Sequence, residues 1–284
     1  EKYWLKQLKM MIWKKKNLRF VIALRVEAKL LLDLYKLKKY VSKNKSFNIY
    51  NNINSNIWLI ISGIGNINAS KAVKRLFNES PKSKKNIWVN IGMAGSNNYE
   101  IGDIFSIKKI TYRNKPFYTS SLLNNIIPAT EAKSVNKIES KFRKKNIVYE
   151  MESYGFVREV EKFCFRELIC VVKIVSDNKK NAPINFVKNT NYYFNYHIKK
   201  IKRIIDEYEK ISDKLSVERK YDLGFIEKKF RLSFSYRLIV SNLIISFEKI
   251  YSKTLLEKIL KKSKSLQGFI QDLKYKIKKY QLKI

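Results

Sequence analysis

Histidine occurs once in this chain of 284 residues, as His197, and cysteine twice, as Cys164 and Cys170. So few soft ligands form none of the spaced Cys/His clusters that hold zinc, and neither a metal nor an organic cofactor is expected. Two thiols in or beside apolar runs suit buried, reduced cysteines better than a disulfide framework, which points to a cytoplasmic protein. Long apolar runs are also missing. The best, Leu238 to Phe247, is about half of the roughly 20 residues that span a bilayer, so no membrane association is expected. The stretch Glu1 to Lys16 has neither a long apolar centre nor a small-residue cleavage site, and a secretory signal is not expected. Acidic residues are scarce as well, 24 against 60 basic ones, for a formal charge of +36. Such an excess ordinarily directs attention to nucleic acid or anionic surfaces. Arginine is nevertheless rare, 11 of the 60, where a phosphate-reading surface would favour its planar fork. The lysine excess runs along the whole chain and fits an AT-rich coding bias better than a selected binding face.

What remains is enough for a core, with 45% apolar residues and 13% aromatics. Short β-rich runs at Leu18 to Leu24, Ile57 to Ile61, Ile87 to Ile91, Ile104 to Ile110 and Leu168 to Val175 alternate with helical spacing. Ala28, Leu31, Leu32 and Tyr35 share one helical face, as do Ala69, Ala72, Val73, Leu76 and Phe77, and Ser153 to Phe163 is compatible with another helix. This alternation predicts an α/β fold, a three-layer sandwich around a twisted, largely parallel or mixed sheet. After Asn178 the texture changes to lysine-rich helical stripes, through Ile198, Ile201, Ile205, Tyr208 and Leu215, then Phe230, Phe234 and Leu238, then Leu266, Ile270, Leu273 and Ile277. The expected organisation is a basic N-terminal segment over 1–17, an α/β domain over 18–212 and a C-terminal α-helical extension over 213–284.

Four segments carry the chemistry. FVIALRVEAKLL ends a strand and begins a helix at Glu27; SGIGNINA, Ser62 to Ala69, places a glycine turn between strand and helix. VNIGMAGSNNYEIGDIF holds Met93, Gly95, Gly102 and Asp103, and YEMES is followed by CVVKIVSDN. In this order and spacing they resemble the nucleoside phosphorylase and nucleosidase superfamily, in its methylthioadenosine/S-adenosylhomocysteine nucleosidase branch. The resemblance implies cleavage of the N-glycosidic bond of a purine nucleoside or thionucleoside without a cofactor, by hydrolysis or by phosphorolysis with phosphate as co-substrate. Cleavage builds positive charge on the ribose and negative charge on the departing base, so it calls for an acid near the base and carboxylates near the sugar.

By that resemblance Asp177 protonates the purine's imidazole nitrogen, and Glu27 activates the attacking water. Glu152 accepts from the ribose hydroxyls, Met151 packs on sugar or base, and Met93, Gly95 and Ser176 complete the substrate site. Each carboxylate also has a plain reading, Asp177 as a turn residue and Glu27 and Glu152 as helix-terminal acids favoured by the dipole. Two departures stand out. Met93 occupies a glycine-turn position where many relatives carry a hydroxyl, and its thioether cannot donate to phosphate; this tips the expectation toward hydrolysis. Lys173 replaces a strand arginine. His197 is expected on the surface or in a structural role. The competing reading is a catalytically weak nucleoside-binding protein whose basic helices dock on a partner protein or nucleic acid. Homo-oligomerisation is left open.

Overall fold

The computed structural model describes residues 16–42, 46–119, 125–139, 141–181, 186–216, 223–232 and 234–281. Most of the expected N-terminal basic segment lies outside them. The chain divides after Ser216 into two compact units.

In the first unit the elements run β1 (Leu18–Ile22), α1 (Arg25–Leu34), β2 (Lys38–Tyr40), β3 (Asn48–Asn52), β4 (Ile57–Ile61), α2 (Asn66–Glu79) and β5 (Ile87–Ser96). They continue as β6 (Ile104–Tyr112), β7 (Lys115–Tyr118), β8 (Ala129–Ser134), β9 (Ile147–Glu150), α3 (Ser153–Val160), β10 (Ile169–Asn178), α4 (Phe186–Tyr196) and α5 (Ile198–Ser216). The sheet is mixed, in the order β10-β6-β8-β9-β5-β1-β4-β3-β2, with β10 also pairing β5. The parallel centre is β4-β1-β5-β10, as the apolar runs predict, because strands covered on both faces are apolar along their length.

Two cores flank this sheet. Phe20, Ile22, Val89, Ile91, Val172 and Ile174 point to one face, where Leu31 of α1, Phe194 of α4 and Ile201, Ile205 and Tyr208 of α5 cover them. Val21, Ile60, Trp88, Val171 and Val175 point to the other, under Ala69, Val73 and Leu76 of α2 and Phe156 and Val160 of α3. The alternation within each strand produces the three layers. Strand β1 carries one charge into this core: Arg19 is fully buried, its guanidinium donating to Ser80 Oγ at 2.8 Å and to the carbonyls of Asn56 and Pro81 at 2.9 Å.

The second unit packs α6 (Gly224–Glu227), α7 (Phe234–Glu248), α8 (Lys253–Lys262) and α9 (Leu266–Gln281) around Ile226, Val240, Ile244, Phe247, Leu256, Phe269 and Leu273. Phe230, expected in a stripe with Phe234 and Leu238, falls in the turn after α6; the side chains of the latter two lie outside the described residues. Lys229 Nζ donates to the carbonyls of Leu260 and Lys261, both at 2.8 Å, at the C-terminal end of α8 where a cation complements the helix dipole. No helix among the described residues is long and apolar enough to cross a membrane.

Candidate active site

Strand β5 pairs in parallel with β10, so Gly92 faces Lys173 and Gly95 faces Asp177. The chemistry gathers around these two points, three residues or about 10 Å apart along the strand.

At the first point four charged groups converge. Glu27 lies in the first turn of α1. One of its oxygens accepts from the N–H of Leu24 at 2.9 Å, and the other crosses to the N–H of Met93 in β5, also at 2.9 Å. A glycine at position 92 permits this approach, since a Cβ there would stand 3.0 Å from Glu27 Oε1 and 3.5 Å from Lys173 Nζ. Lys173, 1% exposed, points its ammonium at Glu150 Oε2 at 3.3 Å and Glu152 Oε2 at 3.9 Å.

The three carboxylates differ in environment. Glu150 Oε2 accepts from the N–H groups of Glu152 and Ser153 at 2.9 and 2.7 Å and from Ser153 Oγ at 2.6 Å, which organises the start of α3. Burial opposes its charge, but Lys173 and these donors outweigh burial and hold its carboxyl below the usual range. Glu152 is bound through Oε1 to the N–H of Gly65 at 2.9 Å, in the glycine turn before α2. Burial raises its pKa against the pull of Lys173, and the neighbouring Glu150 raises it further. For Glu27 burial is the dominant effect, partly offset by the Met93 N–H and Lys173, and its carboxyl is pushed up to about 7. A buried acid poised near neutrality beside a charged partner is the condition under which a carboxylate serves as a general base.

At the second point strand β10 bulges between Val175 and Asp177, which takes Ser176 out of register and turns the following side chain. Ser176 Oγ hydrogen-bonds Asp177 Oδ1. Asp177 Oδ2 and the Phe142 ring both lie against Gly95, where a Cβ would meet them at 2.9 and 2.6 Å. Phe142 is buried at 4% exposure and packs on Tyr149, ring centroids 5.4 Å apart.

The structure therefore brings Glu27, Glu152 and the Met93 backbone into one group, and Asp177, Ser176 and Gly95 into a second on the same strand pair. Met151 lies between Glu150 and Glu152 and is half-buried. Lys173 proves to be the hub of the first group, although the sequence marked it only as a departure. Phe142 carried no signal, since it falls in a basic stretch without periodicity. His197 is not on the surface: it is 3% exposed, with Nε2 2.7 Å from the carbonyl of Gly102. Among the described residues no group of three or more His, Cys, Asp or Glu could hold a metal ion.

No protein-family model and no curated protein matches the sequence. Solved structures do match the fold. The 5′-methylthioadenosine nucleosidase of Arabidopsis thaliana superposes with a TM-score of 0.56 at 14% identity, covering 67% of this chain and 95% of that one. The α/β unit has the nucleosidase fold. A Helicobacter pylori 5′-methylthioadenosine/S-adenosylhomocysteine nucleosidase complexed with a pyrrolidinol matches at 0.55 and 17% identity, over 67% of this chain and 97% of that one. A Chlamydia trachomatis nucleosidase bound to adenine matches at 0.51 and 18%, over 67% and 98%. At identities this low the likeness is one of fold, and the reading of the site rests on its own geometry.

Proposed function

We propose that the α/β unit is a nucleosidase that hydrolyses the N-glycosidic bond of a purine nucleoside or thionucleoside. The observation that carries this reading is Glu27, a buried carboxyl poised near pH 7 that reaches from α1 to the Met93 N–H of β5, on the strand pair whose other strand carries a second acid, Asp177. Two carboxyl groups held apart in different environments are the arrangement that breaks a glycosidic bond. Glu27 takes a proton from water as its oxygen bonds to the anomeric carbon. Glu152 accepts from the ribose hydroxyls and faces the positive charge that grows on the sugar. As the bond to the base breaks, the electron pair leaves with the base and Asp177 supplies a proton to its imidazole nitrogen. Lys173 offsets part of the repulsion among the three carboxylates. Asp177 lies beside the buried Phe142 ring, against Gly95.

Two features favour water over phosphate as nucleophile. The Met93 N–H is already donated to Glu27, and Lys173, the buried cation of the site, is engaged by Glu150 and Glu152. The nucleosidases of matching fold support the same choice. The reaction suits a reducing, cytoplasmic setting in which Cys164 and Cys170 stay free. Incubation with a panel of purine nucleosides and 5′-thionucleosides, with and without phosphate, tests the reading. Free base plus ribose or thioribose in both arms is the expected result. Phosphate-dependent release of a sugar 1-phosphate, or binding without cleavage, would overturn it.

A further inference from the structure

The β6-β7 hairpin and strand β8 line a cleft of 670 Å³. Its volume lies within the roughly 300–1,000 Å³ of small-molecule sites. None of Glu27, Glu152 or Asp177 lines it. Four cations do, Lys109, Arg113, Lys133 and Lys144, against one carboxylate, Glu131. Glu131 is bound to Lys109 at 3.0 Å. Arg113, Lys133 and Lys144 have no carboxylate within ion-pair distance among the described residues.

The three cations are placed by different elements. Arg113 and Asn114 form the tip of the hairpin with φ of 48° and 61°, left-handed values at both central positions, which is the geometry of a tight two-residue turn. Arg113 is held 5.2 Å from the Tyr112 ring. Lys133 is half-buried on β8 and stands 5.7 Å from the Tyr149 ring, so the cleft floor carries a charge that water reaches only in part. Lys144 approaches from the chain before β9, where its N–H donates to the Tyr149 hydroxyl at 2.8 Å. A concave surface lined with one sign of charge focuses its field and collects anions in a way that scattered lysines do not. Tyr112 and Tyr118 supply aromatic surface beside the cations, and the latter is 58% exposed.

We propose that this cleft binds a nucleoside phosphate, with the phosphates on Arg113, Lys133 and Lys144 and the base against Tyr112 and Tyr118. Arginine forks a phosphate oxygen pair and lysine neutralises it as a point charge. The cations converge on one cavity instead of lining a track, which favours a small ligand over a nucleic-acid strand. The inference does not rest on the nucleosidase reading.

Calorimetric titration of the full chain with ATP, pyrophosphate and adenosine tests it, run on the Glu152→Gln variant as well so that binding at the carboxylate site is told apart. ATP and pyrophosphate are expected to bind equally well to both proteins, and adenosine is expected to add no cleft binding. Arg113→Ala and Lys144→Ala, at exposed positions, should each weaken ATP by roughly tenfold, the scale of one charge-assisted contact. Lys258→Ala on α8 should leave it unchanged. Three results would overturn the proposal: ATP binding unaffected in the folded Arg113→Ala/Lys144→Ala double variant, equal weakening by Lys258→Ala, or displacement of ATP by a much tighter single-stranded oligonucleotide. The last would assign the cleft to nucleic acid. Lys133→Met adds a variant at the half-buried position, and the test stands on the exposed pair if that protein does not fold.

Discussion

Glu27 and Asp177 divide the proposed chemistry, and each can be isolated by one atom's change. Asp177→Asn preserves shape and the contact with Ser176 but removes the proton. Turnover should fall by roughly 10²-fold or more while nucleoside binding stays measurable by calorimetry; unchanged turnover would remove Asp177 from the mechanism. Glu27 makes a pH-dependent prediction. Its folded carboxyl is raised to about 7 from an ordinary 4.5, so the folded state binds this proton more tightly than the unfolded chain does. The stabilisation is complete below pH 4.5 and is lost as pH rises toward 7, a change on the order of 3 kcal/mol for a shift of this size. Activity runs the other way, because the base must be ionised: kcat/KM should fall as pH drops below about 7. Glu27→Gln should abolish turnover and flatten the pH dependence of stability, because an amide does not titrate. Thermal melts of both proteins from pH 4.5 to 8 check this; parallel Tm profiles would show that Glu27 titrates normally.

At the scale of elements, the site depends on how α2 and α3 meet. A Cβ on Gly155 would fall 1.9 Å from the Asn66 carbonyl oxygen, and the Gly155 N–H donates to Asn66 Oδ1 at 2.8 Å. The same junction carries the bond from Gly65 to Glu152. Gly155→Ala must push the helices apart, so a loss of about 1–3 kcal/mol in urea unfolding is expected, together with weaker nucleoside binding. Stability within error of the parent would show that the helices are not tightly joined. This junction also marks where sequence reasoning stopped. The central strands and the helices over them were readable because covered strands are apolar throughout and one-sided helices repeat every three to four residues. Strands β2 (KKY), β7 (KPFY) and β8 (ATEAKS) were not, because exposed or short strands keep polar side chains and owe their form to their neighbours. Likewise Glu27, Glu152 and Asp177 could be named in sequence. The bulge at Ser176, the buried guanidinium of Arg19 and the Phe142 ring over Gly95 could not, since each depends on chain segments brought from far away.

On the scale of the whole molecule, the charge excess and the second unit pose a single question. The unit after Ser216 has its own core, with Phe247, Leu256, Phe269 and Leu273 shielded from water. The α/β unit likewise closes both faces of its sheet with helices that end at Ser216. Residues on α8 and α9 that face water include Lys258, Lys261, Lys274 and Lys278. If they are simply a solvated face, a chain ending at Ser216 should fold, keep the melting temperature of its α/β unit and turn over nucleoside with unchanged kcat and KM. Its affinity for duplex DNA should be weak both before and after truncation, indifferent to sequence, and should fall steeply between low and physiological salt, as phosphate contacts alone dictate. The truncated chain should show a shallower salt slope, because fewer counterions are released when fewer lysines meet phosphate. Binding that resists salt in the full chain and vanishes in the shorter one would give the helical unit a selected nucleic-acid role. Lost turnover in a folded, truncated protein would instead mean that the helices complete the active site or an oligomer, since neither core would have been opened by the cut.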